Sequence, residues 1–373
     1  MSADRKHPLV VALYLPQYYE TEYNNEWWEK GYTEWVALKR AKPLFYGHNQ
    51  PRKPLNENYY DLSIRDNIKW QMELAKKYGV DGFAIYQYYS CDSKLLNVPT
   101  EIIRDDPSLD LPFFLYWANE SWKKAWFGQD SSVVWEQRYG TTDDWKAQFD
   151  YCFDYFKDNR YIKIDGKPVY AIYNAWAIPD QDHFLDLWDK WAKEAGFPGI
   201  YFVKTIGRHD ADTRGRFSAR VTREPNYTFA HDEHFCEKVR RVAKSRTIDF
   251  INRKILLDRS KGIVELKVSY DEIWEKILNR NISDDGALLG CFCDWDNSPR
   301  KNYNSTIMLG ATSAKFKYYF KRLLQKAVDV ESPMIVINAW NEWAEGAYLE
   351  PDETNGYAML EAIKEAKESI GIE

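Results

Sequence analysis

The sequence predicts an α/β protein, a (β/α)8 TIM barrel with long decorated βα loops. Three observations carry that expectation. Apolar, β-branched or aromatic runs alternate about eight times with segments of helical period, the pattern of a parallel sheet with crossover helices. A chain of 373 residues accommodates eight such units, and barrels of this kind extend well past the usual domain size. No Gly-rich phosphate turn follows the first apolar run, although an open nucleotide-binding sheet would carry one there.

In chain order, residues 9–15 read as the first strand. The next stretch, YLPQYYETEYNNEWWEKGYTEW, reads as an aromatic loop with Pro16 and Gly31, of the kind barrel enzymes use as binding walls. Residues 41–54 hold three Pro and a Gly and are expected to be irregular. Ile64, Ile68, Met72, Leu74 and Ala75 have helical spacing over 64–78, and Gly79 supplies the stop. Strands are expected at 79–89 and 112–117, a helix over 143–158, and a fourth strand at 167–173 after the Asp165-Gly166 turn. A helix over 182–196 and a strand over 199–206 follow, with VTREPNY a short sixth strand ending at Glu224. Residues 237–267 are polar and poorly periodic, so one domain over 1–373 with an insertion around 232–268 is expected. The remaining pattern is helix 270–278, strand 286–294, helix 311–328, strand 333–340 and closing helix 356–370.

Bulk properties narrow the function. A net charge of −6 and a sequence pI near 5.7 give no electrostatic footprint for nucleic acid. Aromatic residues make up 16% of the chain, including 16 Trp and 27 Tyr, which favours a ligand surface over packing alone. The five cysteines, at 91, 152, 236, 291 and 293, have no zinc spacing and suit a reducing compartment, and Cys291 and Cys293, on one face of an expected strand, read as small apolar fillers. The N-terminal apolar run is a strand rather than a leader, and no window approaches the ~18 apolar residues of a membrane span. A cytoplasmic protein without cofactor or metal is therefore expected.

The chemistry concentrates in INAWNEWAEGAYLEP. Glu342 and Glu345 are three residues apart among tryptophans, just beyond the last expected strand. On an extended chain they would face opposite ways; in a turn, i and i+3 come to one side. Paired acids among aromatic faces suit glycoside cleavage, whereas most ExxE pairs are solvated or bridge to an Arg. Candidate saccharide contacts follow the other strands: Tyr14 and Gln17, Tyr86 and Tyr88, then Trp117, Asn119 and Glu120 with Trp126 beyond. Tyr173, Asp294 with Trp295, and Asn338, Trp340, Asn341 and Trp343 complete the set. In a barrel these strand ends converge on one face. Metal binding is the rival for the acids of DWDN; there is no HExxH, and no GxSxG elbow.

ALYLPQYY, GYTEW, KYGVDGFAIYQYY, FFLYWANESW, DGKPVYAIY, DWDNSPR and NAWNEWAEGAYLEPD resemble the WbsX-type proteins of bacterial surface-polysaccharide gene clusters, a family labelled glycosyltransferase. That family is similar, more loosely and at the strand ends, to glycoside hydrolase family 99, the endo-α-mannosidase and endo-mannanase barrels. The resemblance implies a retaining, endo-acting hydrolase of α-linked glycans. Glu342 would take the proton of the sugar 2-hydroxyl, giving a 1,2-anhydro intermediate, and Glu345 would protonate the leaving oxygen and then activate water. That order requires Glu345 protonated and Glu342 ionised. Ala344 stands where the hydrolase motif has His. The family label implies instead a nucleotide-sugar glycosyltransferase of lipopolysaccharide O-antigen or capsule assembly, using a divalent cation. A non-catalytic saccharide-binding barrel is the third class.

Overall fold

A computed structural model describes residues 7–91, 93–123, 132–207, 210, 213–232, 235–252, 262–282 and 286–372. Eight strands carry the fold: β1 Leu9–Tyr14, β2 Gly82–Ser90, β3 Phe113–Trp117, β4 Lys167–Ile172, β5 Tyr201–Ile206, β6 Ala219–Thr222, β7 Ala287–Phe292 and β8 Met334–Asn338. Each pairs in parallel with the next, and β8 returns to β1 with Val10 opposite Ile335, so the sheet closes into a cylinder. Strands β1, β2, β3, β7 and β8 are buried along their whole length. One face fills the barrel and the other lies under helices, which is why these strands are near-continuous apolar runs.

The helices are α1 Arg65–Lys77, α2 Val98–Asp105, α3 Thr142–Phe156, α4 Gln181–Glu194, α5 Phe235–Phe250, α6 Tyr270–Asn279, α7 Ser313–Asp329 and α8 Ala358–Glu368. In α1 the spacing that predicts it also orients it: Ile68, Met72 and Ala75 are buried, while Lys69, Glu73 and Lys76 are exposed. A reciprocal capping box between Thr141 and Asp144 starts α3. Among the described residues no helix is long and apolar enough to cross a membrane.

Three expectations change. The aromatic loop after β1 contains two short helices, Glu22–Trp27 and Glu34–Arg40. The poorly periodic segment carries α5 and ends in Leu266–Ser269, a strand paired with Thr306–Leu309. The last strand stops at Asn338 rather than 340, which frees the following residues to turn.

Strand alternation decides which side chains reach the barrel mouth. On β2, Tyr86 faces inward toward Tyr116 (ring centroids 5.3 Å), whereas Gln87 reaches out to Cys152 of α3. Gly290 of β7 lies against the end of β6: a Cβ there would lie 1.6 Å from the Thr222 carbonyl oxygen. Gly290→Ala is expected to cost about 3 kcal/mol through backbone displacement, read as a lower urea midpoint at unchanged m-value.

Candidate active site

The site is built by the turn after β8. The Asn341 side-chain amide clasps the backbone beyond β1, its Oδ1 accepting from Leu15 N (2.7 Å) and its Nδ2 donating to Leu15 O (3.0 Å). Tyr18 donates its hydroxyl proton to Asn341 O (2.6 Å) and accepts from Trp343 N (3.2 Å). Asn341–Glu342 and Ala347–Tyr348 then pair as a minimal antiparallel ladder around the 3-10 turn Trp343–Glu345. Gly346 ends that turn at φ +64, with no room for a Cβ beside the Asp296 backbone (2.8 Å). The turn puts Glu342 and Glu345 on the same cleft.

Between the acids lies Arg300, from the short helix Ser298–Lys301 after β7. Its Nη1 donates to Glu345 (2.8 Å), and its Nη2 reaches Glu34 (3.0 Å) and Glu342 (3.5 Å). Arg223, just past β6, approaches Glu345 from the other side (3.7 Å) and donates to the Tyr173 hydroxyl (2.9 Å). The cleft has a volume of about 270 Å³, with walls that include Trp28, Tyr32, Tyr86, Tyr88, Trp122 and Tyr173. Four carboxylates line it, Glu34, Glu120, Glu342 and Glu345, against Arg223, Arg300 and Lys301. Such a surface offers stacking faces together with charged acceptors and donors for hydroxyl groups.

Burial raises the Glu342 carboxyl, the neighbouring Glu345 charge adds to it, and Arg300 and Arg223 oppose it; the outcome is about 8. Burial and the neighbouring acid thus favour the protonated form of Glu342 in the unliganded cleft, against its expected role as the charged partner. Glu345 makes the shorter contact to Arg300, 2.8 Å against 3.5 Å for Glu342. Glu120 is also raised, by burial and then by Glu345, against the pull of Arg223.

Of the sequence candidates, Gln17, Tyr86, Tyr88, Glu120, Tyr173, Glu342 and Glu345 line the cleft. Gln17 donates to the Tyr88 hydroxyl (2.6 Å). Others serve the scaffold instead. Tyr14 points out of the barrel to Gln71 of α1 (2.7 Å). Trp117 also points outward, against Phe184 of α4, with its Nε1 on Tyr89 O (2.9 Å). Asn119 ties two loops by bonding Asn174 O (2.9 Å) and N (2.7 Å). Asn338 donates to Glu224 O (2.9 Å), and Asn341 forms the clasp described above. Trp340 packs on Phe83, and Trp343 stacks on Tyr348 and donates to buried Glu350 (2.6 Å). Trp295 is 4% exposed and outside the cleft wall. Trp126 lies outside the described residues.

The acids of DWDN are held by the protein itself. Asp294 contacts Arg52 (2.8 Å); Asp296 contacts His48 (2.8 Å) and accepts from Gln50 (2.7 Å). Burial alone would raise Asp296, but hydrogen bonds from His48, Ser298 and Gln50 and the charge of Arg52 hold it at about 2. Among the described residues no three His, Cys, Asp or Glu group as a metal site would.

Sequence reasoning did not single out Arg300, Arg223 or Glu34. All three stood in segments already quoted, Arg300 in DWDNSPR, Glu34 in GYTEW and Arg223 in VTREPNY. The signal was the excess of buried-context acids at the strand ends, which needs a counter-charge close by.

Comparison with known proteins gives a consistent picture. A family model described as "Glycosyltransferase WbsX" matches residues 10–363. Two proteins called "Uncharacterized protein WxcX", from Xanthomonas campestris pv. campestris strains ATCC 33913 and B100, are each 31% identical over 362 residues, 96% of this chain and 49% of theirs. The chain thus spans about half the length of these relatives. Among solved structures, a "Glycoside hydrolase-like protein" superposes with TM-score 0.57 at 14% identity, covering 97% of this chain and 94% of its own. The GH99 endo-alpha-mannosidase from Bacteroides thetaiotaomicron does so with TM-score 0.54 at 10% identity and 98% coverage of both chains. At such identities the likeness is one of fold, the TIM barrel.

Proposed function

Because the chain belongs to the WbsX glycosyltransferase family, we propose that its cleft is the active site of a carbohydrate-active enzyme cleaving α-linked glycans, within one catalytic barrel unit. One observation carries the reading: Glu342 and Glu345 meet on Arg300 inside an aromatic-walled cleft at the barrel mouth. Active sites of this fold lie on that face.

The chemistry uses one proton shared by the two acids. Two buried carboxylates that share Arg300 resist ionising together, which favours a pair that keeps one proton. A bound sugar redistributes it. Ionised Glu342 takes the 2-hydroxyl proton, the 2-oxygen bonds to the anomeric carbon, and the glycosidic bond breaks as Glu345 protonates the leaving oxygen. Water then gives a proton to Glu345 and its oxygen to the anomeric carbon, while the 2-oxygen recovers its proton from Glu342. Two displacements retain configuration. A carboxylate whose pKa is raised by burial suits a weakly acidic hydroxyl better than an ordinary one does. Asp294 and Asp296 take no part; they fix the turn through Arg52 and His48.

The family description favours a second reading, transfer from a nucleotide sugar. Calorimetry with UDP-glucose, UDP-N-acetylglucosamine and GDP-mannose, with and without Mg2+ or Mn2+, separates the two. Hydrolysis predicts no tight, metal-dependent binding of these probes. It also predicts reducing ends released with retained anomeric configuration, seen by proton NMR. Tight, metal-dependent nucleotide-sugar binding would reverse the assignment.

A further inference from the structure

We propose that Glu350 is a positioning residue, which holds the turn bearing Glu342 and Glu345 in place through the Trp343 indole. This rests on the paired-acid reading of the cleft and adds what keeps the pair aligned. Glu350 lies just beyond the turn, 3% exposed, and is not part of the cleft wall. Its backbone N–H donates to Trp340 O (3.3 Å), beside that of Leu349 (2.9 Å), so the chain returns to the start of the turn.

The Glu350 carboxylate gathers donors from separate parts of the fold. Its Oε2 accepts from Trp343 Nε1 (2.6 Å) and the Tyr60 hydroxyl (2.8 Å), and its Oε1 accepts from Gln71 Nε2 of α1 (2.7 Å). Gln71 in turn accepts from the Tyr14 hydroxyl of β1 (2.7 Å). The Tyr60 hydroxyl also receives Asn341 Nδ2 (3.4 Å), from the clasp. The three donors to the carboxylate are all neutral. Burial raises the Glu350 carboxyl, and the bonds from Trp343, Gln71 and Tyr60 oppose it; the outcome is about 7. A buried acid held by neutral groups carries a desolvation cost that an apolar side chain of similar size would not. What the acid adds is direction. Trp343 stands between the two acids in the chain and opens the 3-10 turn that ends at Glu345. One indole face stacks on Tyr348 (3.7 Å, 14°), a contact that tolerates sliding in the ring plane. The bond from Nε1 to Glu350 fixes that remaining freedom, and with it the turn.

The test separates the hydrogen bond from the charge. Glu350→Leu removes both. Glu350→Gln removes the charge but keeps an oxygen for Trp343 and Tyr60; its NH2 meets Gln71, whose amide can turn to accept while the Tyr14 hydroxyl accepts from it. Trp343→Phe removes the donor from the other side and keeps a ring on Tyr348. In the full-length protein without substrate, the Glu342 carboxyl is followed by infrared difference titration, with the matching Glu342→Gln protein as background. Burial is the largest cause of its raised value, so a loosened turn that admits water lowers the midpoint. Glu350→Leu and Trp343→Phe should each lower it by about one pH unit or more, and Glu350→Gln should leave it within about 0.3 of a pH unit. On a glycan that the wild type cleaves, kcat should fall roughly thirtyfold in the first two variants with KM within about twofold, inside the hundredfold that a misplacement of about 1 Å can cost. Glu350→Gln should restore kcat to within about threefold of wild type. Circular dichroism checks folding, and if Glu350→Leu does not fold, Trp343→Phe carries the test. An unmoved Glu342 midpoint in the folded Leu and Phe variants, or a Gln variant that shifts as far as they do, overturns the proposal. If Glu342→Gln and Glu345→Gln retained full turnover, the paired-acid chemistry would fail while the effect of Glu350 on the Glu342 midpoint stood.

Discussion

Glu342→Gln and Glu345→Gln will each lower kcat on a cleaved glycan by about a thousandfold, the scale on which positioned acids and bases act. The two losses will not add in the double variant, because one proton passes between the groups. Each amide replaces a carboxylate of similar shape, so folding should survive. The profile of kcat/KM against pH provides the sign. The active pair carries one proton, and its loss on the alkaline side follows Glu342 at about 8. Activity should therefore fall as pH rises through about 8. Without substrate, the Glu342 carboxyl can be followed by infrared difference titration. In Glu345→Gln the neighbouring negative charge is gone, so its midpoint should move below that of the wild type. Full turnover in either single variant would remove the paired-acid mechanism.

The second large effect concerns Arg300. Its guanidinium lies 2.8 Å from Glu345, 3.0 Å from Glu34 and 3.5 Å from Glu342. Arg300→Met keeps the bulk and strips the counter-charge from three acids in a closed space. Removing one partner of a buried ion pair costs about 3–5 kcal/mol, because the remaining charge is left uncompensated. Protonation can relieve that charge, so the deficit relative to wild type should be smaller at pH 5.5 and larger at pH 8.5. Raised carboxyl groups stabilise the folded state below their unfolded pKa and lose that contribution as pH climbs through the folded value. Urea titrations at the two pH values measure the difference. Equal deficits at both would mean that Arg300 acts through packing rather than charge.

The barrel was legible because its strands are buried on both faces and its helices are amphipathic, and both patterns survive in sequence. Boundaries of α1, α3, α4 and α7 fall within two residues of their periodic segments. Helix α2 was hidden by its brevity and by Pro99 at its start. The helix Glu34–Arg40 was hidden by the aromatic density around it. In the site, aromatic identity alone misled. Trp117 and Tyr116 are adjacent, yet one packs outward under α4 and the other faces the barrel. Strand parity separates them: once Tyr86 and Tyr88 are inward, their neighbours are not. Trp340 and Trp343 escaped that rule because they lie past the strand, where the turn aims them at Phe83 and Tyr348. Arg300 was invisible for another reason: a basic residue in a short turn looks like solvent decoration until its three acid partners are brought together from distant segments.

The clasp of Asn341 on Leu15 spans 326 positions of the chain. Glu34, Arg223 and Arg300 come from widely separated loops between those positions. Almost the entire cylinder must therefore close before these acids acquire their common cation, and contacts of such long range make for slow assembly. Recovery of activity after dilution from denaturant should lag behind recovery of helical signal, with glycan-cleaving competence the last property to return.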